Sequence, residues 1–287
     1  MWKSLLSLGF LAALASAQPI PARWDELVAS DWKEAIELSK GTCLLPIGIL
    51  EKHGPHVPIG ADLIGAQHRA LQVAKQEYVV VFPEYFYGQI YEAKYAEGTF
   101  ALPPHLINEL LQATLDEIAR NGFKKILIYS SHGGNPHWLR FFVQAQLEKR
   151  RDYVVYYFDP KPDPAYTKEF QSQSFRKTPL EGDEHAGEQE TSRLMAIRPD
   201  LVKLDRAGTE DGKDQKRLAS LPNVWTAVSW YARFPNHYAG IGAAASAEEG
   251  RYSNDRITKL LVETLRAVKN DEVTPRIQKE NYDRQLK

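Results

Sequence analysis

The segment ILEKHGPHVPIGAD, residues 49–62, gathers Glu51, His53, His56 and Asp62 among two prolines and two glycines. Backbone so restricted predicts a loop, not a helix or a regular strand. A solvated turn has no use for imidazoles, and a core segment avoids four ionisable groups. Carboxylates interleaved with histidines are the donor set of a divalent metal site.

Two more clusters carry the same donors. SSHGGN (130–135) supplies His132, and DEHAGEQETS (183–192) supplies His185, Glu188 and Glu190. Asp, Glu and His without a thiolate cluster suit zinc, manganese or iron(II) and argue against a structural zinc knot. Glu51, His53, Asp62, His132 and Glu190 are too many ligands for one open catalytic ion. They suit two divalent ions per subunit, roughly 3.5–4 Å apart and sharing one carboxylate. The glycines beside His132 and Pro55 beside His53 fix loop shape and let a substrate approach the backbone. HGG also builds oxyanion holes in some serine hydrolases, but the chain has no Gly-x-Ser-x-Gly elbow to go with it. His56, His68, His105, His137 and His237 are expected to be structural or surface residues, with His56 alone placed to line the pocket.

Ligands so distant in sequence meet only if the fold brings their loops together. Apolar runs at 43–49, 78–83, 124–131 and 152–158 read as strands, several apolar on both faces, and helix-period patterns occupy 62–76, 104–120, 136–150 and 246–269. Strand–helix alternation with doubly apolar strands predicts a mainly parallel sheet covered by helices on both sides. The loops at the strands' carboxyl ends then form the site. The polar stretch 160–184 reads as a lid or a surface excursion, and 202–222 as a second excursion. The charged tail after 269 is expected to fray.

Lys3, the apolar run Leu5 to Leu14 and the small-residue site Ala15-Ser16-Ala17 have the pattern of a secretory signal peptide. Residues 1–17 are therefore expected to be removed near Ala17, leaving 18–287 as a single exported domain with no membrane span. A net charge of −1 argues against a nucleic-acid surface or a polybasic membrane patch. Cys43, the sole cysteine, sits in an apolar strand pattern and is expected to be buried and unpaired.

Together, PIGILEKHGPHVPIGAD, NGFKKILIYSSHGGN and HAGEQETSRLMAIRPDLV, followed by the glycine-rich YAGIGAAASAEEG, resemble the creatininase (creatinine amidohydrolase) family. The match runs in order from about residue 40 to 265. The resemblance implies a three-layer α/β/α sandwich with a mainly parallel central sheet, a dinuclear metal centre, a homo-oligomer (often a hexamer) and hydrolysis of C–N bonds in small cyclic amides or formamides. It implies Glu51 and His132 on one ion, His53 on the other and Asp62 bridging. Gly134 stands where creatininase proper has a glutamate, so Glu190 is the implied replacement on the second ion. His185 matches a histidine that orients water or shuttles protons, with Glu188 the other candidate for protonating the leaving nitrogen. The chain departs from the family in YGQIYEAKYAEGTF, where Ala93 replaces a histidine and Ala96-Glu97 a Phe-Pro pair. The metal chemistry therefore carries over more completely than the substrate. A lactone, a peptide or a cyclitol-derived ring on the same centre is the alternative reaction, and a non-catalytic metal- or solute-binding protein the alternative class.

Overall fold

The computed structural model describes residues 20–285, so the expected leader at 1–17 lies outside the described residues. Four strands make one parallel sheet: β1 (Thr42–Ile47), β2 (Val80–Val81), β3 (Lys125–Ser130) and β4 (Val154–Tyr157), in the order β2-β1-β3-β4. The helices are α1 (Trp32–Leu38), α2 (Ala61–Gln76), α3 (Pro104–Arg120), α4 (Asn135–Ala145), α5 (Pro164–Gln171), α6 (Glu188–Met195), α7 (Ser229–Arg233), α8 (Ala247–Asn270) and α9 (Val273–Gln285).

The strands are apolar on both faces because each face meets its own core, and successive side chains point to opposite sides. Cys43, Leu45, Ile47, Ile126, Ile128 and Val155 enter one core, closed by Ala35 of α1, Leu111 and Leu115 of α3, and Leu139 of α4. Leu44, Leu127 and Tyr129 enter the other, closed by Ala66, Ala70 and Val73 of α2 and by Leu261 and Leu265 of α8. The expected α/β/α sandwich is the observed one.

Three expectations change in detail. Only Val80 and Val81 of the 78–83 run pair in the sheet. The helix expected over 136–150 ends at Ala145 and finishes in a 3-10 turn, Gln146–Glu148. The tail expected to fray forms α9, because Asp271 accepts from the amides of Val273 and Thr274 (2.8 and 3.1 Å) and buried Tyr282 donates to the Gln146 carbonyl at 2.8 Å.

The stretch 160–184 is fastened to the body. Asp163 caps α5 by accepting from the Tyr166 amide at 3.1 Å. The buried Arg176 guanidinium donates to Glu249 of α8 at 2.8 Å and to Asp183 at 2.5 Å. β1 and β3 are adjacent and parallel, so their carboxyl ends, Ile47 and Ser130, release the Glu51 and His132 loops side by side.

Candidate metal centre

Glu51 and His53 lie just past β1, where the chain crosses the start of α2. A side chain at Gly48 would come within 2.3 Å of the Leu63 backbone, so glycine there lets the loop and Asp62 approach. Asp62 occupies the first turn of α2, where the helix amides favour a carboxylate. His132 follows β3, and Glu190 sits in the first turn of α6.

The structure brings the five expected ligands and His185 into one cluster. Asp62 Oδ1 lies 3.7 Å from His53 Nε2, and Asp62 Oδ2 lies 3.2 Å from His132 Nδ1. Glu51 Oε1 is 2.8 Å from His132 Nδ1 and 3.8 Å from His53 Nε2. Glu190 Oε2 is 3.5 Å from His185 Nδ1 and accepts from the Ala186 amide at 2.6 Å. Glu51, His53, Asp62, His132 and His185 are buried, while Glu190 keeps partial exposure.

Three of the imidazoles have their tautomer set by a backbone carbonyl, which can only accept. His53 donates from Nδ1 to Glu51 O at 3.1 Å, His132 from Nε2 to Gln89 O at 2.9 Å, and His185 from Nε2 to Lys52 O at 2.8 Å. Each ring therefore turns its second nitrogen, a lone pair when neutral, toward the carboxylates. This is the outer-shell pattern of metal-bound histidine. Glu51 Oε1 and Asp62 Oδ2 are buried without a hydrogen-bond partner. Ligand atoms of Glu51, Asp62 and His132 lie within 4.8 Å of one another, as do those of His53, His185 and Glu190. Two carboxylate oxygens without a hydrogen-bond partner, facing ring nitrogens that can give up a proton, fit divalent cations.

Electrostatics point the same way. Burial works to neutralise His53, but the Asp62, Glu51 and Glu190 carboxylates push it up to about 10. His132 is likewise driven upward against burial, by Glu51 and Asp62. Burial opposes ionisation of Asp62, yet the two imidazoles hold its carboxyl well below the usual range. Protons and metal ions thus compete for the same nitrogens.

Glu188 is not at the cluster. Its carboxylate accepts from the Lys177 amide (2.8 Å) and from the amide and hydroxyl of Thr178 (2.8 and 2.5 Å), holding the end of the 160–184 stretch. Two residues along a helix is a rotation of about 200°, so the turn that aims Glu190 at the cluster aims Glu188 away.

His237, expected to be a structural or surface residue, stands beside Glu51. Its Nε2 lies 2.6 Å from Glu51 Oε2 and its ring centroid 4.3 Å from that of His185. An antiparallel bridge delivers it: the amides of His185 and Ala239 each donate to the other's carbonyl, at 3.0 and 2.9 Å. No sequence periodicity announces such a bridge between irregular segments. His56 is buried but bonds Thr191 Oγ1 at 2.9 Å, bracing the first loop against α6.

A family model described as creatininase, creatinine amidohydrolase, matches residues 28–265. A creatinine amidohydrolase of Pseudomonas putida is 29% identical over 191 residues, 61% of this chain and 72% of that protein. A mycofactocin precursor peptide peptidase of Mycobacterium ulcerans (strain Agy99) is 27% identical over 260 residues, 85% of each chain. Among solved structures, a mutant creatininase of Zn–Zn type superposes with a TM-score of 0.70 at 20% identity, covering 87% of this chain and 99% of that one.

Proposed function

The chain belongs to the creatininase family of C–N bond hydrolases, and from that premise we propose that it is an exported, dinuclear-metal amidohydrolase acting on a small cyclic amide or formamide. The observation that carries this reading is Asp62, which offers one oxygen toward His53 and the other toward His132. Glu51, Asp62 and His132 would hold one ion, and Asp62, His53 and Glu190 the other, with His185 Nδ1 beside it. Zinc and manganese suit this donor set, and the Zn–Zn form of a creatininase supports the pairing. When bound, the ions would supply Lewis acidity, bringing the pKa of a held water down toward neutral pH and polarising a carbonyl.

The protein's own groups do the rest. The carbonyls of Glu51, Lys52 and Gln89 hold three imidazoles in orientation before a substrate arrives. Of the two candidates for protonating the leaving nitrogen, His185 is at the cluster and Glu188 is not. Its Nε2–H is committed to Lys52, so Nδ1 is the atom through which it would pass a proton.

A second reading, peptide-bond hydrolysis, is favoured by the likeness to a peptide peptidase along most of the chain. It also draws support from the exposed apolar side chains of Val224, Trp225 and Val228 leading into α7, whose Trp230 meets His185 edge-on. Export is supported by the Lys3, Leu5–Leu14 and Ala15–Ala17 pattern, and the mass of the secreted chain would test it. A homo-oligomer is part of the proposal, and sedimentation would measure it.

Turnover of cyclic amides, formamides, lactones and short peptides by the zinc- or manganese-loaded protein tests the activity. Metal-dependent hydrolysis of one amide class is the expected result. Bound metal without turnover across the panel would replace the enzyme with a binding protein.

A further inference from the structure

Four imidazoles surround Glu51, and one is wired in reverse. His53, His132 and His185 each give an N–H to a backbone carbonyl and turn the second nitrogen, a lone pair when the ring is neutral, inward. At His237 the outer partner is the Trp230 indole, whose Nε1–H can only donate, 2.8 Å from His237 Nδ1. Nδ1 must therefore be bare, since a proton there would set two N–H groups face to face. The ring's proton is on Nε2, which meets Glu51 Oε2 at 2.6 Å.

We propose that His237 is a positioning residue for Glu51, fixed in its Nε2–H tautomer by Trp230, so that Oε2 is occupied and Oε1 is left facing the metal position. The inference rests on the metal-centre reading above. Glu51 has two oxygens and several imidazoles within reach. Without a donor on Oε2 the carboxylate could rotate, or chelate with both oxygens and draw away from His132. The charge-assisted bond from His237 removes that freedom before any ion arrives. Glu51 Oε2, His185 and His237 atoms do lie within 4.8 Å of one another, but a protonated Nε2 cannot be a ligand.

A second observation is independent of the hydrogen bonds. His237 has a left-handed backbone, φ +50°, in a 2% exposed residue. Strain of that kind persists where the surroundings over-determine it, and it collects at functional sites. Here the amide of His237 donates to Phe234 O at 3.0 Å and the amide of Phe234 to Trp230 O at 2.8 Å, which ties the imidazole to the helix that carries the indole.

The test uses the full chain in two states. In the metal-free protein, histidine ¹⁵N NMR should show His237 with Nδ1 bare and Nε2 protonated, and Trp230→Phe should abolish that single-tautomer signature. Zinc affinity by chelator competition should then fall about 10–100-fold in His237→Ala, the loss typical of an outer-shell partner. His237→Gln, whose amide can donate from the same place, should recover most of it. A protonated Nδ1 in the wild-type protein, or unchanged zinc affinity in His237→Ala, would overturn the proposal. So would equal losses in the Ala and Gln variants, which would mark His237 as a ligand or a packing residue. Failure of the wild-type protein to bind zinc would overturn both this inference and the proposed function, and it shows before any variant is compared.

Discussion

Asp62 and His132 face each other across 3.2 Å, Oδ2 to Nδ1, with the carboxylate oxygen lacking any hydrogen-bond partner. The other oxygen of the same carboxylate looks toward His53. Asp62→Asn keeps the shape and removes the charge on which both positions depend. With the two ions proposed above, bound zinc by elemental analysis should fall to at most one. The value of kcat/KM should drop about 10³-fold, equivalent to about 4 kcal/mol. Full metal content in this variant would dismiss the shared-carboxylate geometry.

Gly134 is a position at which the structure leaves no room for a side chain. A Cβ there would lie 2.4 Å from His132 Nε2 and 2.8 Å from Gln89 Nε2. Gly134→Ala should push His132 off the Gln89 carbonyl and weaken zinc binding at least ~10-fold, the cost of losing an outer-shell orientation. Retained affinity would show that the ring can relax without leaving its ligand position.

Glu188 separates structural from chemical roles. Glu188→Gln removes a charged acceptor from three donors of Lys177 and Thr178 and should cost ~1–3 kcal/mol, read as a lower Tm. Metal content should stay at the wild-type value and activity within a few-fold of it. Collapse of activity with a normal Tm would return Glu188 to the catalytic machinery.

Glu249 gives a pH dependence. Burial pushes its carboxyl up from 4.5 to about 7, against the downward pull of Arg176. Between those two values the folded protein keeps a proton that the unfolded chain has released, so this group's contribution to stability falls as pH rises through the window and is constant above it. Denaturant unfolding at several pH values should show a steeper decline for wild type than for Glu249→Gln. Parallel profiles would mean that Glu249 stays ionised throughout.

The fold was readable because its strands state their surroundings. Cys43, Leu44 and Leu45 are all apolar, yet they alternate between two cores, which only a sheet covered on both sides requires. Asp62, His53 and His132 were readable because ligand chemistry narrows the residue types and strand ends narrow their places. Glu188 stands beside His185 as a candidate in the sequence because two carboxylates two positions apart look equivalent until the start of α6 is known. His237 was missed for another reason. Its address is set by a bridge to His185 and an indole above it, and both depend on long-range packing. The tail was misjudged because Tyr282, its anchor, looks like any surface tyrosine among charges.

The candidate centre joins Glu51 to Glu190 and, through Glu51, to His237, 186 residues away along the chain. Cys43 is buried and the sequence offers it no disulfide partner. Ions held at that junction would act as a coordination staple across a very long loop, the kind of closure that restricts an unfolded chain most. Resistance to unfolding and catalytic competence would then be one property, gained or lost with the same bound metal.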